Sequence, residues 1–244
     1  MSLYGNRGVH GQTVDTIARR VLSGELPEGA TLDLTALQEE LGVSLTALRE
    51  SLKVLTAKGL VDARQKRGTY VRPRADWNLL DPDVLRWQFS AVADASLLRS
   101  LDEVRGIIEP AAVRLAAIRR SDEDLARLDM ALEAMSKADD SRTAVDADLA
   151  FHRALLSSTH NELLERMQTV LESALAARDQ LVHGTEHASD DPVPSHQAVL
   201  DGVRAQDPEQ AEAAMRALLD KAISDEQRLR SELSETAETT EEGR

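Results

Sequence analysis

Val43-Ser44-Leu45-Thr46-Ala47-Leu48-Arg49-Glu50-Ser51-Leu52-Lys53-Val54-Leu55 is the stretch that decides the fold of this 244-residue chain. Leu45, Leu48, Leu52 and Leu55 recur at steps of three and four, which marks one face of a helix. Ser44 precedes that face and can cap its first turn through the side-chain oxygen. Upstream, Thr35 to Leu41 reads as a second short helix with Leu34, Leu37 and Leu41 turned inward. Gly42 stands between them, where a tight turn favours a residue free to take positive φ. Helix, glycine-containing turn and helix is the layout of a helix-turn-helix, whose second helix enters the DNA major groove. With Leu48 and Leu52 holding that helix to its neighbours, Ser44, Thr46, Ala47, Arg49 and Lys53 remain for DNA.

The sequence after Gly59 extends the pattern. Leu60 to Val71 reads as two short β-compatible runs joined by a basic, glycine-containing turn, a hairpin wing. Arg64, Lys66, Arg67, Arg72 and Arg74 fall within eleven positions, a density suited to phosphate contacts, and Gly68 lets the backbone approach a groove.

These residues resemble the winged-helix domain of GntR-type bacterial transcription regulators. The resemblance rests on Ser23-Gly24-Glu25-Leu26-Pro27-Glu28-Gly29-Ala30-Thr31-Leu32, then Val43 to Leu55, then Gly59-Leu60-Val61 and Arg67-Gly68-Thr69-Tyr70-Val71. Leu45 stands where the family usually carries an arginine, and Thr35 where some members place another. Arg49 is kept, so the resemblance implies phosphate anchoring but not a particular operator.

Charge divides the chain in the same way. Residues 1–76 hold 11 Lys/Arg against 9 Asp/Glu, a head at +2, while the remainder holds 18 against 34, a body at −16. An arginine-bearing head on an acidic body is the asymmetry of a regulator whose DNA binding is confined to the head. The chain has no cysteine, which excludes disulfide frameworks and zinc fingers. No run approaches the ~20 apolar residues that span a bilayer, and no signal segment is present, so a cytoplasmic protein without membrane contact is expected. Aromatics make up only 2% of the chain, so the core must be aliphatic, as in a helical protein.

The expected architecture is mainly α: an N-terminal winged helix-turn-helix with a small β wing, then a C-terminal antiparallel all-α bundle. Residues 1–9 are expected to be disordered, 10–75 to form the DNA-binding domain, and 76–94 a linker and first helix. Residues 95–232 are expected to form an effector-binding and dimerisation domain, and 233–244 a disordered acidic tail. Asp81-Pro82 starts a helix, and Trp77 and Trp87 are expected to glue the two domains together. Gly184 to Pro194 reads as a polar loop, so His183 and His187 are expected to be solvated, and His10 and His160 to lack convergent partners.

In the second domain, Arg105 and Glu109 are four residues apart, as are Asp148 and His152, so each pair shares a helix face. His196 opens another helix. These positions resemble the all-helical (FCD) effector domain of the FadR-like branch of GntR regulators. That resemblance implies an effector cavity lined by Arg105, Glu109, Asp148, His152 and His196. Metal-binding members bring one carboxylate and three histidines to a divalent cation such as zinc or nickel. Asp148, His152 and His196 match three of these, but Leu218 occupies the place of the third histidine, so weak metal binding or none is expected.

The resulting expectation is a dimeric, ligand-responsive repressor of a catabolic operon, not an enzyme. It would bind an inverted-repeat operator on double-stranded DNA and be tuned by a small carboxylate or sugar acid. Two readings stay open beside it: a metal-dependent hydrolase using Asp148, His152 and His196, and a regulator that has lost its effector. Against the hydrolase, the chain has no nucleophile elbow, phosphate loop or His-Glu-x-x-His motif.

Overall fold

A computed structural model describes residues 8–91, 95–169, 171–172 and 191–242. The chain divides into two compact units, Met1–Asp94 and Ala95–Arg244.

The first unit begins with α1 (Val9–Leu22), whose Val14, Ile17, Ala18, Val21 and Leu22 are buried. Asp33 caps α2 (Leu34–Leu41) by accepting from the backbone N–H groups of Thr35 and Ala36. Gly42 ends that helix in the left-handed region at φ 63°, as the turn requires. Ser44 then caps α3 (Leu45–Ala57), its oxygen accepting from Ala47 N at 3.2 Å. The wing is an antiparallel pair, β1 (Val61–Arg64) and β2 (Gly68–Val71), in register Val61↔Val71 to Arg64↔Gly68. The stretch before α2 lies alongside β2: Leu32 N donates to Thr69 O, and Val71 N to Ala30 O.

The unit closes with α4 (Pro82–Ala91). Residues 76–94 belong to the head, and Trp77 and Trp87 lie in its core, 8% and 3% exposed, beside Ile17, Leu52 and Val84. Polar contacts explain why. Trp87 Nε1 donates to Asp15 Oδ1 at 2.7 Å on α1, and Trp77 Nε1 to Arg72 O at 3.0 Å. Lys58, at the end of α3, lies 2.8 Å from Asp81 Oδ1 and 2.9 Å from Asp83 Oδ2. An indole whose N–H has a buried partner packs at little cost, so these rings serve the head core.

The second unit is a helical bundle comprising α5 (Ala95–Arg119), α6 (Asp122–Ser136), α7 (Ser141–Ser157), α8 (residues 162–169), α9 (Val193–Arg204) and α10 (Pro208–Glu242). Ser121 with Asp124, and Asp140 with Thr143, form reciprocal capping boxes at the starts of α6 and α7. Phe151, Leu128, Leu155, Val199, Leu200 and Met215 pack in one core, each at most 1% exposed. A Cβ on Gly202 would lie 2.7 Å from the backbone of Ala211, so glycine permits the close crossing of α9 and α10.

Two further expectations change. α10 continues to Glu242, past the expected start of a disordered tail at 233. After Pro208 it meets no glycine or proline until Gly243, and its Ala, Glu, Leu and Arg residues favour helix without needing a core. His160 does have a partner: its Nε2 lies 2.9 Å from Asp124 Oδ2. His183 and His187 lie outside the described residues, as does the expected N-terminal disorder up to residue 7.

Candidate functional site

In the head, the turn at Gly42 sets α3 so that Leu48, Ser51, Leu52 and Leu55 face inward. The opposite face presents Leu45, Thr46, Arg49, Glu50 and Lys53, all exposed. Leu45 therefore leaves the apolar face that its spacing suggested, being 37% exposed at the start of the helix. Ala47 also departs from expectation: it packs against the head core, so its side chain does not join the exposed face. Ser44 is exposed but its oxygen is committed to the cap. Lys53 Nζ lies 2.7 Å from Glu50, a solvent-exposed pair that contributes little and can yield to a phosphate.

Arg64, Lys66, Arg67 and Gly68 sit on the exposed wing. Lys66 takes φ 67° at the tip. Arg67 is partly committed to structure, donating to Gly29 O at 3.0 Å, and its guanidinium stacks 4.1 Å from the Tyr70 ring centroid. The Arg64 guanidinium also lies over that ring, 5.3 Å from its centroid.

In the second unit all five expected residues converge. α5 carries Arg105 and Glu109, both nearly inaccessible, with Arg105 Nε donating to Glu109 Oε1 at 2.6 Å. Glu109 Oε2 lies 2.9 Å from His152 Nδ1 on α7. His152 Nε2 is 3.8 Å from Asp148 Oδ1, and His196 Nε2 on α9 is 3.0 Å from the same oxygen. His196 Nδ1 lies 2.9 Å from Pro192 O. A carbonyl oxygen only accepts, so Nδ1 carries the proton and donates to Pro192. Phe151 meets His152 and His196 edge-on, at centroid distances of 6.1 and 5.0 Å.

Short distances here are not all hydrogen bonds. Glu109 Oε2, both ring nitrogens of His152 and Nε2 of His196 are buried without an aligned partner. Burial opposes charge on Glu109, but Arg105 and His152 outweigh it and hold its carboxyl down at about 2. Asp148 behaves likewise: His152, His196 and Arg105 override desolvation and keep it well below the usual carboxylate range. Burial disfavours the His152 imidazolium, yet Glu109 and Asp148 raise its pKa above the ordinary value.

Asp148, His152 and His196 can each offer one atom, all within 4.8 Å of one another. Ligands at ~2.0–2.2 Å around a tetrahedral zinc stand about 3.3 Å apart, between the two His–Asp148 separations. The donor set therefore fits a divalent cation. Glu109 would be the carboxylate that orients a ligating histidine from behind. Leu218 is buried in the bundle core and offers no donor.

Beside Arg105, a cleft of about 110 Å³ opens between α5 and α10, lined by Asp102, Arg105, Gly106, Arg216, Leu219 and Asp220 among others. Sequence reasoning missed it, because its walls come from helices more than a hundred residues apart. Pro192 was also missed: a backbone carbonyl leaves no signal in residue type.

A groove helix with a basic wing, joined to a helical domain enclosing a polar cluster, defines a class: DNA-binding regulators with a ligand-receiving domain. Comparison with known proteins places the chain within it. Residues 10–71 match the family "Bacterial regulatory proteins, gntR family", and residues 101–221 match the FCD domain. The chain is similar to the galactonate operon transcriptional repressor of Escherichia coli K12, at 35% identity over 204 residues covering 82% of this chain and 89% of the relative. It is also similar to the HTH-type transcriptional regulator LutR of Bacillus subtilis, at 34% identity covering 82% and 92%. The solved structure of Lar, which controls the agr system of Listeria monocytogenes, matches with a TM-score of 0.64 at 18% identity, covering 91% and 98%, and supports the fold. The chain belongs to the gntR family, in the branch that carries an FCD domain, and is a transcription regulator, not an enzyme. No described helix is long and apolar enough to cross a membrane.

Proposed function

We propose that this regulator represses a catabolic operon and is released from its operator by a small hydroxy acid or sugar acid bound in the second unit. The observation that carries this reading is the row of buried histidine nitrogens without aligned partners around Asp148, backed by the Arg105–Glu109 pair. A carboxylate with its neighbouring hydroxyl carries the oxygen acceptors that these unmatched histidine nitrogens can meet. The resemblance to a galactonate operon repressor points to the same chemistry, since galactonate is a sugar acid.

Asp148, His152 and His196 would hold a divalent cation, with positions left open by Leu218. A bound ion there would act as a Lewis-acidic point that fixes the acid's oxygens. Pro192 O holds the His196 tautomer so that Nε2 presents its lone pair, and Glu109 lies 2.9 Å from His152 Nδ1, close enough to orient that ring. Arg105 adds positive charge at the cleft. The acid shifts the protein off DNA only to the extent that it binds the released state better.

The regulator would act as a homodimer on an inverted repeat, because one recognition helix reads one half-site. α5 supports this: Val104, Ile107, Ala111, Leu115 and Ile118 form an apolar stripe on a helix otherwise packed in the bundle, with Ile107 74% and Ile118 59% exposed. The stripe is nearly symmetric about Ala111. Antiparallel pairing with a second copy sets apolar residues together and puts one Glu103 and one Arg119 at each end, whereas parallel pairing would bring like charges level.

The test is a thermal-shift screen of aldonic and 2-hydroxy acids against neutral sugars of the same size. The reading predicts a concentration-dependent rise in Tm for at least one acid, lost in His196→Ala. No response to any acid, with intact operator binding, would favour a regulator without an effector.

A further inference from the structure

We infer that Leu45 is a base-reading residue that recognises the 5-methyl group of a thymine in each operator half-site. The inference rests on α3 being the groove helix, the reading given above. Leu45 is 37% exposed, while Leu48, Leu52 and Leu55 on the same helix are at most 6% exposed. It sits directly after the Ser44 cap, at the N-terminal end that a recognition helix points towards base edges. Arg49, one turn on, and Lys53, one turn further, continue the same exposed face.

Chemistry then narrows what Leu45 can read. Its side chain has no donor or acceptor, so it cannot pair with a guanine or adenine edge as arginine or asparagine does. The one apolar feature on the floor of the major groove is the thymine methyl. The neighbours divide the remaining work. Thr46 can hydrogen-bond to a base or phosphate, and Arg49 and Lys53 carry charge for the backbone. Polar groups therefore position the helix, and the leucine selects A·T pairs at one place. Burying one methyl-sized apolar group is worth about 0.8 kcal/mol, roughly a fourfold preference per half-site.

The full-length protein would first be used to select its operator from a random duplex library. Each thymine would then be replaced singly by deoxyuridine, which removes the methyl and leaves every hydrogen-bonding group in place. Wild-type protein should lose roughly fourfold in affinity at one thymine per half-site, and Leu45→Ala should lose nothing further there. Leu45→Arg should shift the selected base at that position towards guanine. A Leu45→Ala variant that keeps the wild-type methyl dependence, or an operator in which no thymine methyl matters, would overturn the inference. Arg49→Ala separates this from failure of the underlying reading: unchanged affinity in Arg49→Ala would mean that α3 is not the groove helix at all.

Discussion

His196 Nε2 faces Asp148 Oδ1 at 3.0 Å without forming an aligned hydrogen bond. With Nδ1 already donating to Pro192 O, a neutral His196 would turn a lone pair towards a carboxylate. That arrangement is stabilised by a cation between them.

Leu218→His should therefore add a fourth donor to the set. The expected result is a variant that keeps about one zinc per chain through dialysis and gains Tm on zinc addition, with binding stronger as pH rises and the imidazoles lose protons. Metal analysis and melting curves check it. A variant that binds zinc no more tightly than wild type would mean that residue 218 does not reach the cluster.

Replacing Arg49 with alanine should weaken specific and non-specific DNA binding together. The slope of log affinity against log salt should fall by about one per protomer, as for loss of one phosphate contact. Anisotropy titrations at several salt concentrations measure this, and a loss restricted to the operator would instead make Arg49 a base reader.

Much of this was legible in the sequence because it depends on short-range spacing. The leucine steps of α3, the Gly42 turn, the Asp81-Pro82 start and the four-residue pairs Arg105/Glu109 and Asp148/His152 all lie within a few residues of one another. What escaped depends on distant partners. Trp87 belongs to the head because of Asp15, 72 residues away, and His160 is paired because Asp124 is 36 residues away. Leu45 fits the apolar period of its helix, yet the packing of neighbouring helices leaves it outside the core.

Asp124 gives a pH-dependent prediction. Burial works against its charge, but hydrogen bonds from Ser121 backbone and side chain, with Arg127 and His160, hold the carboxyl down at about 2. A depressed carboxylate contributes stability that is fully present above its unfolded value near 3.9 and is lost as pH falls towards 2. Asp124→Ala also removes the α6 capping box, so it should cost about 1–2 kcal/mol at neutral pH, with the difference from wild type shrinking below about pH 4. Urea unfolding at pH 7 and pH 3 would show this; an equal difference at both would contradict it.

On α5, Ile107→Glu should disrupt self-association. Ile107 is 74% exposed, so the change leaves the bundle core intact but places a charge in the apolar stripe. Light scattering should report a monomer at concentrations where wild type is a dimer, and operator binding should weaken with loss of the second half-site. A wild-type monomer, or a variant that stays dimeric, would place the interface elsewhere.

The most direct measurement is operator release followed by fluorescence anisotropy, with purified full-length protein on labelled operator, titrated with a sugar acid such as galactonate or a smaller 2-hydroxy acid. The account predicts that an acid lowers anisotropy, that chelation abolishes the effect while leaving DNA binding intact, and that zinc or another divalent ion restores it. Release that persists unchanged after complete metal removal would contradict the cation-held acid site, and would leave His152, His196 and Arg105 as direct partners of the carboxylate.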